Sequence, residues 1–97
     1  MHDVIVLYNQ PTSSEDFDRH YQNTHVGLVH QLPKLREFTW GKAVDPDASY
    51  YVVARLTYAN AEDAAESMAS AKGRESVEDL ANFASAGVTV LNVARHG

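Results

Sequence analysis

The run DVIVLY (residues 3–8), near the start of the chain, is β-branched or apolar almost without a break. Such a run is typical of a strand that is buried on both faces. Thr12 and Glu15 then have the spacing of a helix capping box. We therefore predict a strand over residues 3–8 and a helix from about Ser14 to Gln31, which ends before Pro33 because the residue preceding a proline disfavours helical geometry.

The rest of the chain alternates between strand and helix patterns. We expect strands over residues 35–43, 50–58 and 88–94, a helix that begins at Asn60 and stops at Gly73, and helical turns that Ser76 and Asp79 open, with Val77, Leu80, Phe83 and Ala84 on one side. The order βαββαβ predicts a single α+β domain over residues 1–97, with a ferredoxin-like, four-stranded antiparallel sheet and helices on one face.

The predicted strands are apolar on both faces, although helices cover only one. In the third strand one face carries Tyr50, Val52, Ala54 and Leu56, and the other carries Tyr51 and Val53. The uncovered face would leave a larger apolar patch than soluble monomers usually expose. We therefore expect a homodimer in which two sheets pack face to face. The alternative is that Arg55 and Thr57 mark a face open to solvent.

Composition and charge exclude several classes of function. The chain has 97 residues, no cysteine and a net charge of −5, with lysine and arginine scattered along it. Disulfides and thiolate chemistry are excluded, and the charge argues against a nucleic-acid partner. No segment is apolar for long enough to cross a bilayer, and the N-terminus lacks a basic, cleavable signal. We expect a cytoplasmic protein with no membrane partner.

The segment DFDRHYQNTHVGLVHQLPKL (residues 16–35) contains three histidines in one amphipathic run. At about 100° per residue, a stripe about 80° wide contains Phe17, Tyr21, His25, Leu28 and Leu32. Steps of five residues turn an α-helix by about 140°. His20, His25 and His30 are therefore expected to point in three directions, which excludes a metal site made by this run alone.

His25 has two interpretations, because a lone histidine on an apolar face either fills the core or performs chemistry. Tyr21 lies one turn earlier, so that its phenol would share a pocket with the imidazole. Gly27 weakens the helix just beyond, which predicts a local distortion that opens space beside His25. The alternative is that Gly27 only allows close packing.

The pattern Phe17-x3-Tyr21-x3-His25-x2-Leu28, followed by Leu32-Pro33-x-Leu35, resembles the signature of the EthD family, which is named for ethyl tert-butyl ether degradation and belongs to the dimeric α+β barrel superfamily. A weaker similarity continues in ESVEDLANFA (residues 75–84). Gly27 stands where the family favours proline, and Lys34 stands where it favours glycine.

The resemblance implies a dimeric α+β barrel with a cleft between sheet and helices in each subunit. Relatives in this superfamily include cyclases, dehydratases, decarboxylases, isomerases, monooxygenases and haem-degrading enzymes, and many use no cofactor. The fold alone therefore does not identify a reaction.

The leading hypothesis is a cofactor-independent enzyme that moves a proton next to a carbonyl group of a small apolar molecule. His25 would act as general base and Tyr21 would donate a hydrogen bond to the oxyanion, while Phe17, Leu28, Trp40 and Tyr51 are candidate substrate-binding residues. No metal or organic cofactor is expected. The alternatives are a hydrophobic-ligand-binding or accessory protein of an oxygenase or degradation pathway, a haem-binding protein with His25 as axial ligand, and a structural dimer. Most carboxylates are assigned to solubility, and Asp3 and Glu37 have no assignment.

Overall fold

The computed structural model describes residues 1–96. It contains strands β1 (His2–Asn9), β2 (Glu37–Lys42), β3 (Tyr50–Tyr58) and β4 (Val88–Ala94). Its helices are α1 (Ser14–His20), α2 (Val26–His30), α3 (Ala61–Ala69) and α4 (Ala71–Phe83), with a π-helical segment (Tyr21–His25) between α1 and α2.

The four strands form one antiparallel sheet in the order β2-β3-β1-β4, with the helices packed on one face. This arrangement confirms the predicted ferredoxin-like fold. The core lies between the sheet and the helices and includes Val4, Tyr8, Phe17, Tyr21, Val29, Leu32, Val52, Ala54, Leu56, Tyr58 and Ala64. Within residues 1–96, no helix is both long and apolar enough to span a membrane.

Tyr51 lies on the helix side of the sheet, and the prediction that it faces the other way with Val53 is wrong. Tyr8 pairs with Val52, but the register between β1 and β3 shifts immediately afterwards. A bulge of this kind re-aims the side chain of the extra residue. The ring of Tyr51 consequently packs edge-on against Phe17, with centroids 5.3 Å apart.

The other face of the sheet is partly apolar, as the strand pattern predicts. Val53, Leu91 and Val93 are 40%, 46% and 39% exposed on this face. Large apolar side chains exposed on a regular sheet are unusual for a soluble monomer and are typical of a surface that packs against another protein.

Asp3, which has no assignment from the sequence, bonds to Thr57 and Arg95 on this open face. Its buried carboxylate accepts hydrogen bonds from Thr57 Oγ1 at 2.7 Å and from Arg95 Nη2 and Nε at 2.7 and 2.9 Å. The hydrogen bond from Arg95 lowers the pKa of Asp3, which opposes the effect of burial. Glu37, the other carboxylate without an assignment, is exposed on the edge strand β2.

The first helix follows the sequence prediction in its extent but not in its cap. Ser13 is the N-cap, and its hydroxyl accepts a hydrogen bond from the Asp16 amide at 3.3 Å. The capping-box assignment to Thr12 and Glu15 is therefore displaced by one residue. After α2, Lys34 adopts a left-handed conformation with φ of 67°. This is the position at which the EthD pattern favours glycine, since glycine takes positive φ without steric cost.

Two predictions about the second helical region are wrong. Gly73 does not end a helix, because it lies in the first turn of α4 and its amide donates to the N-cap Ser70 at 3.0 Å. A Cβ at Gly73 would lie 2.3 Å from the Ser67 carbonyl oxygen, so that glycine is needed where α3 and α4 meet. Ser76 does not open a helical turn, because it is a buried residue in the middle of α4.

Candidate active site beneath the first helix

The first helix is distorted where the sequence places its chemistry. Residues 21–25 form a π-helix, and the Val26 amide donates to the Tyr21 carbonyl five residues earlier. Such single π-helical turns occur frequently at functional sites. The distortion confirms the expected irregularity beside His25, although it precedes Gly27. A Cβ at Gly27 would meet nothing within 4 Å, so the close-packing explanation for this glycine is wrong.

The π-helical segment brings His20 and His25 to the same carboxylate. His20 Nε2 lies 2.8 Å from Asp79 Oδ1, and His25 Nδ1 lies 2.9 Å from Asp79 Oδ2. Asn82 Nδ2 donates to Oδ1 at 2.9 Å. The prediction that His20 and His25 point in different directions is therefore wrong, because it assumed α-helical geometry across the segment that bonds from residue i to i+5.

The ring of Phe83 on α4 packs against both imidazoles. Its ring centroid lies 5.2 Å from that of His20 and 4.8 Å from that of His25. His30, in contrast, is exposed and packs edge-on against Phe38 at 5.4 Å. Of the three histidines in residues 16–35, only His30 therefore lies on the surface and away from Asp79.

Asp79 carries a negative charge in this arrangement. Burial acts to raise the pKa of its carboxyl, but the hydrogen bonds from Asn82, His20 and His25 together hold the pKa below its ordinary value. An anionic carboxylate accepts hydrogen bonds and donates none. His25 therefore carries its proton on Nδ1 and its lone pair on Nε2.

The Nε2 side of His25 faces the hydroxyl of Tyr8, which lies 3.4 Å away. The distance is at the long end of hydrogen-bond geometry, so this contact is weaker than the one to Asp79. Burial lowers the pKa of His25, and the bond to Asp79 opposes this effect without cancelling it. His25 is consequently a neutral imidazole at neutral pH, and its basic nitrogen Nε2 is held only by the weak contact with Tyr8.

A cavity of about 80 Å³ lies against this group, between the helices and the sheet. It is lined by Tyr8, Tyr21, His25 and Ser76 among its polar residues, and by apolar residues from every layer, which include Val4, Val6, Val29, Leu32, Phe38, Ala54, Leu56, Met68, Val77, Leu80 and Val90. Val77 and Val90 are more than half exposed, which places the opening of the cavity between α4 and β4.

Tyr21 is one of the residues that line the cavity, and its buried hydroxyl has no protein partner. In the part of the chain that the structure describes, Tyr21 Oη is the buried side-chain polar atom without a hydrogen bond, and less than 1 Å² of it is accessible. Burial raises the pKa of this phenol, so it stays protonated and able to donate. Its ring stacks on His25 with centroids 5.7 Å apart, as the shared stripe predicts.

Two of the predicted substrate-binding residues on the first helix lie outside the cavity lining. Phe17 is 2% exposed, and its ring packs against the ring of Tyr8 with centroids 5.4 Å apart. Leu28 is only half-buried, and Val29 takes the position expected for it. The extra residue in the π-helical turn explains this shift, because it rotates the following turn by about one position.

The two predicted substrate-binding residues on the sheet also lie beside the cavity rather than in its lining. Trp40 packs edge-on against Tyr21 at 4.9 Å and remains 36% exposed. The Tyr51 hydroxyl donates to Asp18 Oδ1 at 2.9 Å, and the same carboxylate binds Lys42 at 2.7 Å. Trp40 therefore packs against Tyr21 outside the cavity, whereas Tyr51 shares the Asp18 carboxylate with Lys42.

Sequence reasoning missed Asp79, Tyr8 and the participation of His20. A signal for Asp79 was present, because Gly73, Ser76 and Asp79 follow one another at the three-residue spacing of one helix face. All three are buried, Gly73 against α3 and Asp79 against the histidines of the first helix, so this face of small and polar residues is the inner one. In residues 1–96, no group of three or more histidine, aspartate or glutamate side chains is arranged to hold a metal ion.

Comparisons with known proteins place the chain among relatives of the same architecture. A Rhodococcus erythropolis protein described as an uncharacterized 11.0 kDa protein in the thcB–thcC intergenic region is 39% identical over 94 residues, which cover 94% of this chain and 91% of that protein. The crystal structure of an EthD family protein from Bacillus halodurans superposes with a TM-score of 0.93 at 28% identity, covering 99% of each chain. A hydroxynitrile lyase from Passiflora edulis shares the fold at a TM-score of 0.76 and 15% identity, covering 98% of this chain and 94% of that one.

The family model of the EthD domain matches residues 9–87, which contain the histidines of the first helix, Asp79 and most of the cavity. The match extends over most of the chain, and the earlier resemblance in the first helix is confirmed. The chain belongs to the EthD family.

Proposed function

We propose that the chain is a cofactor-independent enzyme that acts on a small, largely apolar organic molecule by general acid/base proton transfer. The observation that carries this proposal is the pair of His25 and Asp79, whose Nδ1–Oδ2 distance is 2.9 Å, at the wall of a cavity. A general base needs an oriented lone pair and a pKa near or below the working pH. Asp79 supplies the orientation, and burial supplies the lowered pKa.

The proton would move from a carbon next to a carbonyl group to Nε2 of His25. The imidazolium that forms is stabilised by the Asp79 anion behind it, which accepts the Nδ1 proton in a hydrogen bond. The electrons of the broken C–H bond pass to the carbonyl oxygen. The hydroxyls of Tyr21 and Tyr8 are the candidate donors to this oxygen, because burial raises the pKa of both and keeps them protonated.

The test is exchange of the α-protons of a small ketone in D₂O, followed by proton NMR, because it reports enolisation without knowledge of the natural substrate. The protein should accelerate exchange of cyclopentanone, and His25→Gln should abolish the acceleration. His30→Gln is the matched control, since His30 lies on the same helix but outside the cavity. Acceleration that survives His25→Gln would refute the role of His25.

A non-catalytic ligand-binding or accessory protein is the second candidate. The observation that favours it is that both ring nitrogens of His25 already have protein partners, Asp79 and Tyr8. An imidazole with both nitrogens occupied is typical of a structural residue. Saturable ketone binding without any acceleration of exchange would select this function.

Haem fits the arrangement poorly. An iron bound to His25 Nε2 would compete for the space in front of the Tyr8 hydroxyl, which lies 3.4 Å from that nitrogen. The cavity of about 80 Å³ is also small and enclosed on the side of the sheet. A haem titration with no His25-dependent Soret shift is the expected result.

We also propose that the open face of the sheet binds a second copy of the chain. Val53, Leu91 and Val93 supply the exposed apolar surface for this contact, and two-fold pairing of identical faces is the commonest way to cover such a surface. Leu91→Asp should convert the dimer to a monomer in sedimentation velocity at micromolar concentration. A wild-type monomer under these conditions would refute the proposal.

A further inference from the structure

The cavity combines an apolar lining with very little polar functionality. Its walls are formed mainly by aliphatic residues such as Val4, Val29, Leu56 and Leu80. Ser76 also lines it, but its hydroxyl donates to the Gly73 carbonyl at 2.9 Å. The polar groups left for a ligand are therefore the two tyrosine hydroxyls and His25.

The wall of the cavity offers no positive charge to a ligand. Among the lining residues that the structure describes there is no lysine, arginine or carboxylate. The nearest ionised group is Asp79, which contacts His25 from behind and is itself buried. A negative ligand would therefore lose its hydration beside a second negative charge, with no cation on the wall to compensate.

The hydroxyl of Tyr21 is the complementary feature. It is a buried, protonated donor beside the cavity, and no protein group in the described chain accepts its proton. A buried donor without a partner is costly to the free protein. Less than 1 Å² of this hydroxyl is accessible, so a ligand oxygen reaches it only when a neighbouring side chain shifts. The hydrogen bond that then forms would recover this cost, so the site favours a ligand with one acceptor.

We propose that the cavity selects uncharged compounds that carry one carbonyl oxygen on a small hydrocarbon body, held by Tyr21, and that it excludes the corresponding carboxylates. This inference rests on the proposed function, because it names the substrate class on which His25 would act. The neutral ketone presents a single acceptor to Tyr21 and an apolar surface to the aliphatic walls. The opening beside Val77 and Val90 leaves room for longer apolar substituents.

The experiment compares three probes of similar shape by NMR titration of the full chain at millimolar concentrations. The probes are cyclopentanone, methylenecyclopentane, which replaces the oxygen by a carbon, and cyclopentanecarboxylate. We expect cyclopentanone to bind most tightly and the carboxylate to bind at least about 10-fold more weakly. Equal binding of the carboxylate and the ketone, or no saturable binding of the ketone, would overturn the inference.

The variant Tyr21→Phe tests the anchor directly. It should weaken cyclopentanone binding about 3- to 10-fold, as expected for one net hydrogen bond, and leave methylenecyclopentane binding unchanged. Tyr51→Phe is the matched control that should alter neither, since its hydroxyl binds Asp18 outside the cavity. An unchanged ketone affinity in Tyr21→Phe would overturn the assignment of the anchor.

The outcomes also separate this inference from the proposed catalysis. Selective ketone binding without accelerated α-proton exchange would support the substrate class and refute proton transfer. Accelerated exchange that depends on His25, together with equal binding of the carboxylate, would support proton transfer and refute the selectivity.

Discussion

Replacing Tyr21 by phenylalanine should stabilise the free protein, although tyrosine-to-phenylalanine changes at buried sites commonly cost stability. The Tyr21 ring is 1% exposed and fills its space in the core. Phenylalanine keeps that ring and removes only an oxygen that has no protein partner and less than 1 Å² of accessible area. The change therefore removes a desolvation penalty without breaking a hydrogen bond.

The size of the effect follows from the cost of an unsatisfied buried hydroxyl, which is about 1–3 kcal/mol. For a domain of this length, each kcal/mol corresponds to a shift in Tm of about 4–8 °C. The free energy of unfolding is measured by urea denaturation at a fixed protomer concentration, because pairing of subunits would make apparent stability depend on concentration.

Tyr58→Phe provides the opposite control. Tyr58 is as deeply buried as Tyr21, but its hydroxyl is 2.8 Å from Ser67 Oγ. Its loss leaves the serine without that partner and should lower the free energy of unfolding by about 1 kcal/mol. If Tyr21→Phe destabilises the protein as Tyr58→Phe does, the Tyr21 hydroxyl has a partner in solution, and the argument for it as a ligand donor fails.

Three further predictions concern the glycines and the histidines. Gly27→Ala should raise the free energy of unfolding by about 1 kcal/mol, because alanine favours the helix and its Cβ would meet nothing within 4 Å. Gly73→Ala should lower the free energy of unfolding by about 2–3 kcal/mol, because its Cβ would collide with the Ser67 carbonyl oxygen. Chemical denaturation of both variants measures the two effects, and equal effects would contradict the packing argument. The pKa of His25 is lower in the folded chain than its ordinary value of 6.5, so the unfolded chain binds a proton more readily. The free energy of unfolding should therefore fall as pH drops from 7.5 to 5.5, and it should fall less steeply in His25→Gln. Parallel pH dependences of the two proteins in urea titrations would exclude this linkage. His20→Gln should raise the pKa of His25 in an NMR titration, since the charge of His20 opposes protonation of His25, and a lowered pKa would instead show that His20 mainly holds Asp79 in place.

The fold was predictable because its determinants are local and periodic. The apolar run at residues 3–8 and the strand at residues 50–58 have the hydrophobic patterns of a half-covered sheet, and Asn60 caps its helix as expected, accepting from the Asp63 amide at 2.8 Å. The family signature in the first helix also identified His25 and Tyr21 as residues of one face. Both are buried beside the cavity.

The details of the site were less predictable because they depend on departures from regular geometry. A fixed rotation of about 100° per residue separates His20 from His25 and places Leu28 in the core, and the π-helical turn reverses both results. Asp79 resembled a cap or a solvated helix residue, since its burial depends on contacts with residues 54 and 59 positions away. Tyr8 was part of an apolar strand, and only the folded chain brings its hydroxyl to His25.

The π-helical turn contains one residue more than the α-helical turn that it replaces. A regular helix that lacked one residue between the two histidines would place them a single α-helical turn apart, on the same face of the helix. In related chains, a one-residue deletion between these histidines therefore predicts a straight helix that still directs both side chains toward the aspartate. The five-residue interval can be read directly from an alignment, which makes it a test for the π-helical turn in sequences that have no structure.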